Sequence, residues 1–75
     1  MEQLQDRDIS RADVERAIDE WIIGENAERN RAILRRRLID GIKFEDLAAE
    51  FNLSVRRTKA IVYKNQDRVF RHLPG

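Results

Sequence analysis

The apolar positions in the first third of the chain repeat with the period of an α-helix. Ile18 follows Val14 by four residues, and Trp21 and Ile22 follow Ile18 by three and four. This spacing places all four side chains on one helical face. We therefore expect an amphipathic helix here, with the four side chains, Trp21 included, packed into a core.

Three more segments show the same period, and together the pattern predicts an all-α, compact four-helix domain. The expected helices span about 10–23, 26–39, 44–51 and 55–72. The predicted inner face of the second helix is Ala27, Leu34 and Leu38, flanked by Ile33 and Ile39. The third helix is expected to bury Phe44, Leu47, Ala48 and Phe51, and the fourth Thr58, Ile61, Val62, Asn65, Val69 and Leu73. Residues 1–9 lack a period and are expected to be disordered, which leaves 10–75 as a single domain.

Capping and helix-breaking residues lie at the ends of these segments. Ser10 is a favourable N-cap, and Asp13 three residues later forms part of a capping box. Gly24 is placed to end the first helix, because glycine adopts the left-handed conformation found after helix ends. Ser54 is the predicted N-cap of the last helix, and Pro74 is expected to end it.

Composition narrows the chemistry that the chain can perform. Its 75 residues include no Cys and a single His, His72, which excludes a disulfide scaffold and a Cys-ligated zinc site. No apolar run approaches the length of a membrane span, and no Gly-rich phosphate loop or nucleophile–base pair is present. We expect a cytoplasmic, non-enzymatic module without metal or cofactor, and no membrane partner.

The net charge of +1 conceals an uneven distribution along the chain. Residues 1–28 carry three Arg against nine acidic residues, and residues 29–75 carry twelve Lys and Arg against five acidic residues. Such a basic region favours a polyanionic partner for that part of the chain. The run Arg35, Arg36 and Arg37 leaves two interpretations open, a clamp on a phosphate backbone or a solvated helix face.

The segment from Phe44 to Lys64 has the pattern of a helix-turn-helix. Ala48 supplies a small side chain where two helices cross, Leu53 fills the turn, and Ser54 caps the second helix. In this motif the second helix enters the DNA major groove by its N-terminal end. The candidate DNA-binding residues are Lys43, Ser54, Val55, Arg56, Arg57, Lys59, Ala60, Tyr63 and Lys64.

The stretch EDLAAEFNLSVRRTKAIVYK resembles the helix-turn-helix of region four of bacterial sigma factors, and the upstream ERNRAILRRRLIDGIKF is similar to the preceding helix of that family. The likeness covers about residues 28–73. It implies a helical domain that reads the promoter −35 element. By position, the base-facing residues would be Val55, Arg56, Lys59 and Ala60, with Lys43 and Ser54 near the DNA backbone.

The chain also departs from this family. It has no region two, so we expect a lone module and not a complete sigma factor. Val55 and Ala60 are apolar where housekeeping members place long polar side chains. The acidic segment 10–23 has no counterpart in region four; it more closely resembles short sigma-like proteins of phages and mobile elements.

Two functions follow from these observations. The first is a transcription regulator that binds double-stranded DNA, for which a module of this size would need a homodimer, a tethering partner or RNA polymerase to reach useful occupancy. The second is a protein-interaction module of the same fold that binds RNA polymerase or a larger phage protein. Basic residues on the outer face of the last helix favour the first, because a protein-binding helix would more naturally present an apolar patch.

Overall fold

A computed structural model describes residues 10–73, which form four α-helices and no strand. The helices are α1 (Arg11–Trp21), α2 (Ala27–Leu38), α3 (Phe44–Glu50) and α4 (Val55–Arg71). The prediction of a compact all-α fold with four helices is therefore confirmed, with each helix end within two residues of its expected position. The predicted disorder of residues 1–9 and the helix-ending role of Pro74 lie outside the described residues.

Local capping explains where the helices begin. The Ser10 hydroxyl accepts a hydrogen bond from the Asp13 amide, and the Asp13 carboxylate accepts one from the Ser10 amide, so the capping box is complete. Ser54 caps α4 by accepting from the Arg57 amide at 3.0 Å. Gly24 follows α1 at φ +96°, a value that favours glycine, although the helix itself already ends at Trp21.

The core forms where three helices meet α4. This helix contacts α1, α2 and α3, and α2 also contacts α1 and α3, whereas α1 and α3 do not touch each other. Every helix contributes to the fully buried side chains, which are Ile18, Ile22, Ile33, Leu34, Leu47, Thr58, Val62 and Val69. Because α1 packs only on α2 and α4, its acidic surface lies apart from α3.

The end of α1 differs from the sequence-based expectation. Ile18 and Ile22 are buried as expected, but Trp21 is 39% exposed and does not belong to the buried core. Its ring instead stacks on His72, with ring centroids 3.6 Å apart and planes 10° from parallel. Phe70 of α4 is also exposed, at 50%. Trp21 is the last residue of α1, where periodicity gives the direction of a side chain but not the distance to the next element.

The arginine run of α2 contacts acidic side chains elsewhere in the fold. Arg35 forms an ion pair with Asp19 of α1, and Arg36 forms hydrogen bonds with Glu50 of α3 and Asp40. Two hydrogen bonds raise the pKa of Arg36: the bond to Glu50 has the larger effect, and the bond to Asp40 adds to it. Both side chains are thus engaged within the chain, an arrangement that neither sequence interpretation of this run included.

None of the helices in the described part of the chain combines the length and apolar character that crossing a membrane requires. Within residues 10–73, no cluster of three or more His, Asp or Glu side chains is arranged to hold a metal ion.

Candidate nucleic-acid interface

The candidate interface begins at the connection between α3 and α4. After α3, Asn52 adopts the left-handed conformation at φ 58°, which reverses the chain direction. The amide of Leu53 then donates to the Ala48 carbonyl at 2.8 Å, and the Leu53 side chain packs half-buried against the core. Ser54 follows directly as the N-cap of α4, so the two helices are held by a connection of four residues.

The inner face of α4 determines which side chains point outward. Thr58, Ile61, Val62, Asn65 and Val69 are all buried, as their helical spacing predicts. The two polar members use backbone acceptors on their own helix: the Thr58 hydroxyl donates to the Ser54 carbonyl at 2.8 Å, and the Asn65 amide donates to the Ile61 carbonyl at 2.7 Å. These bonds reduce the cost of burying the two polar groups on the inner face of α4.

Eight of the nine predicted site residues are exposed: Lys43, Ser54, Arg56, Arg57, Lys59, Ala60, Tyr63 and Lys64. Val55 is half-buried, so it has less surface to offer a partner than the sequence suggested. The Ser54 oxygen accepts the capping hydrogen bond, which leaves the hydroxyl hydrogen able to donate to an outside acceptor. Lys43 directly precedes α3, Ser54 directly precedes α4, and the other seven residues lie within the first ten residues of α4.

An aromatic cluster positions one side of this surface. The Phe44 ring, at the start of α3, meets the Tyr63 ring edge-on at a centroid distance of 5.8 Å. The Arg37 guanidinium lies 4.2 Å above the same ring, and the Lys59 ammonium lies 5.6 Å from its centre. These contacts hold the Lys59 and Tyr63 side chains of α4 against the start of α3, which Lys43 directly precedes.

The basic residues of the protein divide into two groups by their partners. On α1 and α2, the arginines form ion pairs or donate to backbone or side-chain oxygens: Arg11 to Glu15, Arg16 to Asp13, Arg29 to Asn30, Arg31 to the Ile22 carbonyl, Arg35 to Asp19, Arg36 to Glu50 and Asp40, and Arg37 to the Ile42 carbonyl. On α4, Arg71 has such a partner, Asp67. Within residues 10–73, no ion pair or hydrogen bond is made by the side chains of Arg56, Arg57, Lys59, Lys64 or Arg68.

This division concentrates positive charge on one helix. Four arginines of α1 and α2 have carboxylate partners that offset their charge at short range, whereas five cations of α4 have none within residues 10–73. Arg68 belongs to this group but was missed by the sequence analysis, which stopped at Lys64. Helical periodicity could have identified it, because Arg68 follows Lys64 by four residues and Arg57 by eleven, and both spacings place side chains on the same face of a helix.

Comparisons with protein-family models, with curated proteins and with solved structures each gave no match.

Proposed function

We propose that this protein is a DNA-binding transcription regulator in which α3 and α4 form a helix-turn-helix. In this proposal α4 enters the major groove of double-stranded DNA with its N-terminal half leading. The observation that carries it is the set of basic side chains on the outer face of α4 that form no ion pair within residues 10–73, while the inner face of the same helix is buried in the core.

The exposed side chains divide by the part of DNA that each suits. Arg56 and Lys59 are long cationic donors of the kind that bond the acceptor atoms of guanine, and Ala60 offers a methyl group for contact with thymine. Lys43 and the Ser54 hydroxyl are suited to phosphate oxygens, which position a protein without reading sequence. Val55 contributes little, because it is half-buried.

The charge of α3 restricts the direction of approach. Glu45, Asp46 and Glu50 all lie on this helix, and the first two are exposed in its first turn, where they complement the helix dipole. The Glu45 and Asp46 carboxylates repel phosphates, whereas Lys43 and the basic side chains of α4 attract them. The duplex is therefore proposed to lie along α4, with α3 behind it as support.

The proposal is tested by comparing variants that remove the same charge from different places. We expect the double substitution Arg56→Ala and Lys59→Ala to weaken binding to a selected duplex by about 1–3 kcal/mol for each side chain that reads a base. The matched control is Arg11→Ala with Arg16→Ala, which removes two positive charges from the exposed surface of α1. Fluorescence anisotropy titrations of all three proteins at several salt concentrations supply the affinities.

Comparing the two variants separates the effect of where a positive charge lies from the effect of the protein's net charge. Loss of affinity in the α4 variant together with near-normal binding of the α1 variant supports the interface. Equal affinity of the wild type and the α4 variant at every salt concentration would remove the DNA-binding proposal and leave a protein partner, such as RNA polymerase, for this surface.

A further inference from the structure

A groove runs between α4 and the start of α2, on the opposite side of α4 from the Phe44 cluster. Its volume is about 470 Å³, and its rim and floor combine four basic residues with one acidic residue, Glu25. The basic residues are Arg29, Arg57, Lys64 and Arg68. No residue of the aromatic cluster lines it, so it is a separate surface from the Lys59 side of α4.

Three of these cations form a line along α4. Arg57, Lys64 and Arg68 lie within about 40° of one another around the helix and extend over about 16 Å of its length, given 100° and 1.5 Å per residue. None of the three pairs with an acidic residue within residues 10–73. A row of cations at this spacing matches a linear polyanion better than it matches a single small anion.

The opposite wall of the groove comes from the first turn of α2. Arg29 is half-buried, and its Nε and Nη2 donate to the Asn30 side-chain oxygen at 3.2 and 3.1 Å, which holds the guanidinium in place. Asn26, also on the groove, makes no capping hydrogen bond with its side chain, so its amide remains able to donate. This wall adds a positioned cation and an amide donor to the row on α4.

The groove is continuous with the surface proposed to bind DNA. Arg57, Ala60 and Lys64 line the groove and are also candidate DNA-binding residues. Around the helix axis, the row formed by Arg57, Lys64 and Arg68 lies about 140° from Lys59 and Tyr63. A helix about 10–12 Å wide fills a major groove about 12 Å wide, so opposite sides of α4 face opposite strands.

We propose that the groove between α2 and α4 binds the phosphodiester backbone of one DNA strand, while the Lys43 and Lys59 side of α4 meets the other strand. This inference rests on the proposed function and specifies how the duplex lies on the protein. It assigns phosphate contacts to Arg29 and Arg68, which lie outside the predicted helix-turn-helix face. These contacts add affinity without adding sequence preference.

The test uses the full chain with Arg29→Gln and Arg68→Gln combined, compared with Arg56→Ala plus Lys59→Ala. Removing two phosphate contacts is expected to reduce the slope of log K against log salt by about 1.8, since each contact contributes about 0.9. With the affinity at 1 M salt unchanged, that slope corresponds to a roughly 60-fold weakening at 0.1 M salt. Random and selected duplexes should lose affinity by the same factor.

Methylphosphonate substitution locates the contact on the DNA. Neutral phosphates placed on one strand should weaken the wild type but not the groove variant, and the same substitutions on the other strand should weaken both. Circular dichroism and the urea midpoint confirm that each variant is folded. Arg68→Gln alone serves if the half-buried Arg29 proves necessary for folding.

Each outcome bears on the proposal. An unchanged salt slope in the groove variant, with the wild type bound to DNA, overturns the groove contact and leaves the proposed function standing. A loss confined to one duplex sequence would mean that the groove reads bases, which also overturns it. If the wild type binds no duplex at any salt concentration, the proposed function and the groove contact fail together.

Discussion

Replacing Leu47 by alanine tests how α3 is held in the fold. The Leu47 side chain is fully buried, and α3 has only seven residues, too few to form a stable helix alone. Leu-to-Ala changes at such sites cost about 2–5 kcal/mol, because transfer free energy is lost and a cavity remains. A chain of this length is expected to have a total stability of about 4–11 kcal/mol, so one substitution removes a large part of it.

Urea unfolding followed by circular dichroism measures this loss. With an m-value of about 1 kcal/mol per molar urea, as suits a small domain, a loss of 3 kcal/mol lowers the midpoint by about 3 M. The control is Ile23→Ala, which removes a similar apolar side chain that is 61% exposed and is expected to change stability by about 0.5 kcal/mol or less. A Leu47→Ala midpoint equal to that of the wild type would refute the assignment of Leu47 to the core.

The cap of α4 and the conformation of Gly41 give two further predictions. Ser54→Ala should lower the free energy of unfolding by about 1 kcal/mol, because the Arg57 amide loses its capping acceptor, and Ser54→Asp should restore most of it in urea melts. Gly41→Ala should cost about 1–2 kcal/mol by the same assay, since Gly41 has φ +71° while an added Cβ meets no atom within 4 Å. An unaltered Gly41→Ala midpoint would mean that the chain relaxes out of this conformation without cost.

The features that could be predicted from the sequence depend on short-range information. Helix periodicity identified the buried residues of α4, and Ser10 and Ser54 marked helix starts because capping involves residues only three apart. The division of site residues into inner and outer faces follows from the same period. For that reason the exposure of Arg56 and Lys59 was predictable before any tertiary structure was considered.

The features that could not be predicted depend on contacts between distant parts of the chain. Arg35 and Asp19 are sixteen residues apart, and Arg36 and Glu50 are fourteen apart, so no local pattern links them. The same holds for the groove, whose walls come from α2 and α4. Trp21 was assigned to the core because periodicity gives a direction around the helix but not the distance to the next element.

The stack of Trp21 on His72 gives the protein an internal optical reporter. Trp21 is the single tryptophan of the chain, and its ring joins the end of α1 to the residue that follows α4. Its emission therefore responds when the last turn of α4 separates from α1, even while the rest of the core stays intact. Comparing fluorescence with far-ultraviolet ellipticity separates such local fraying from global unfolding, two processes that differ widely in free energy within one small protein.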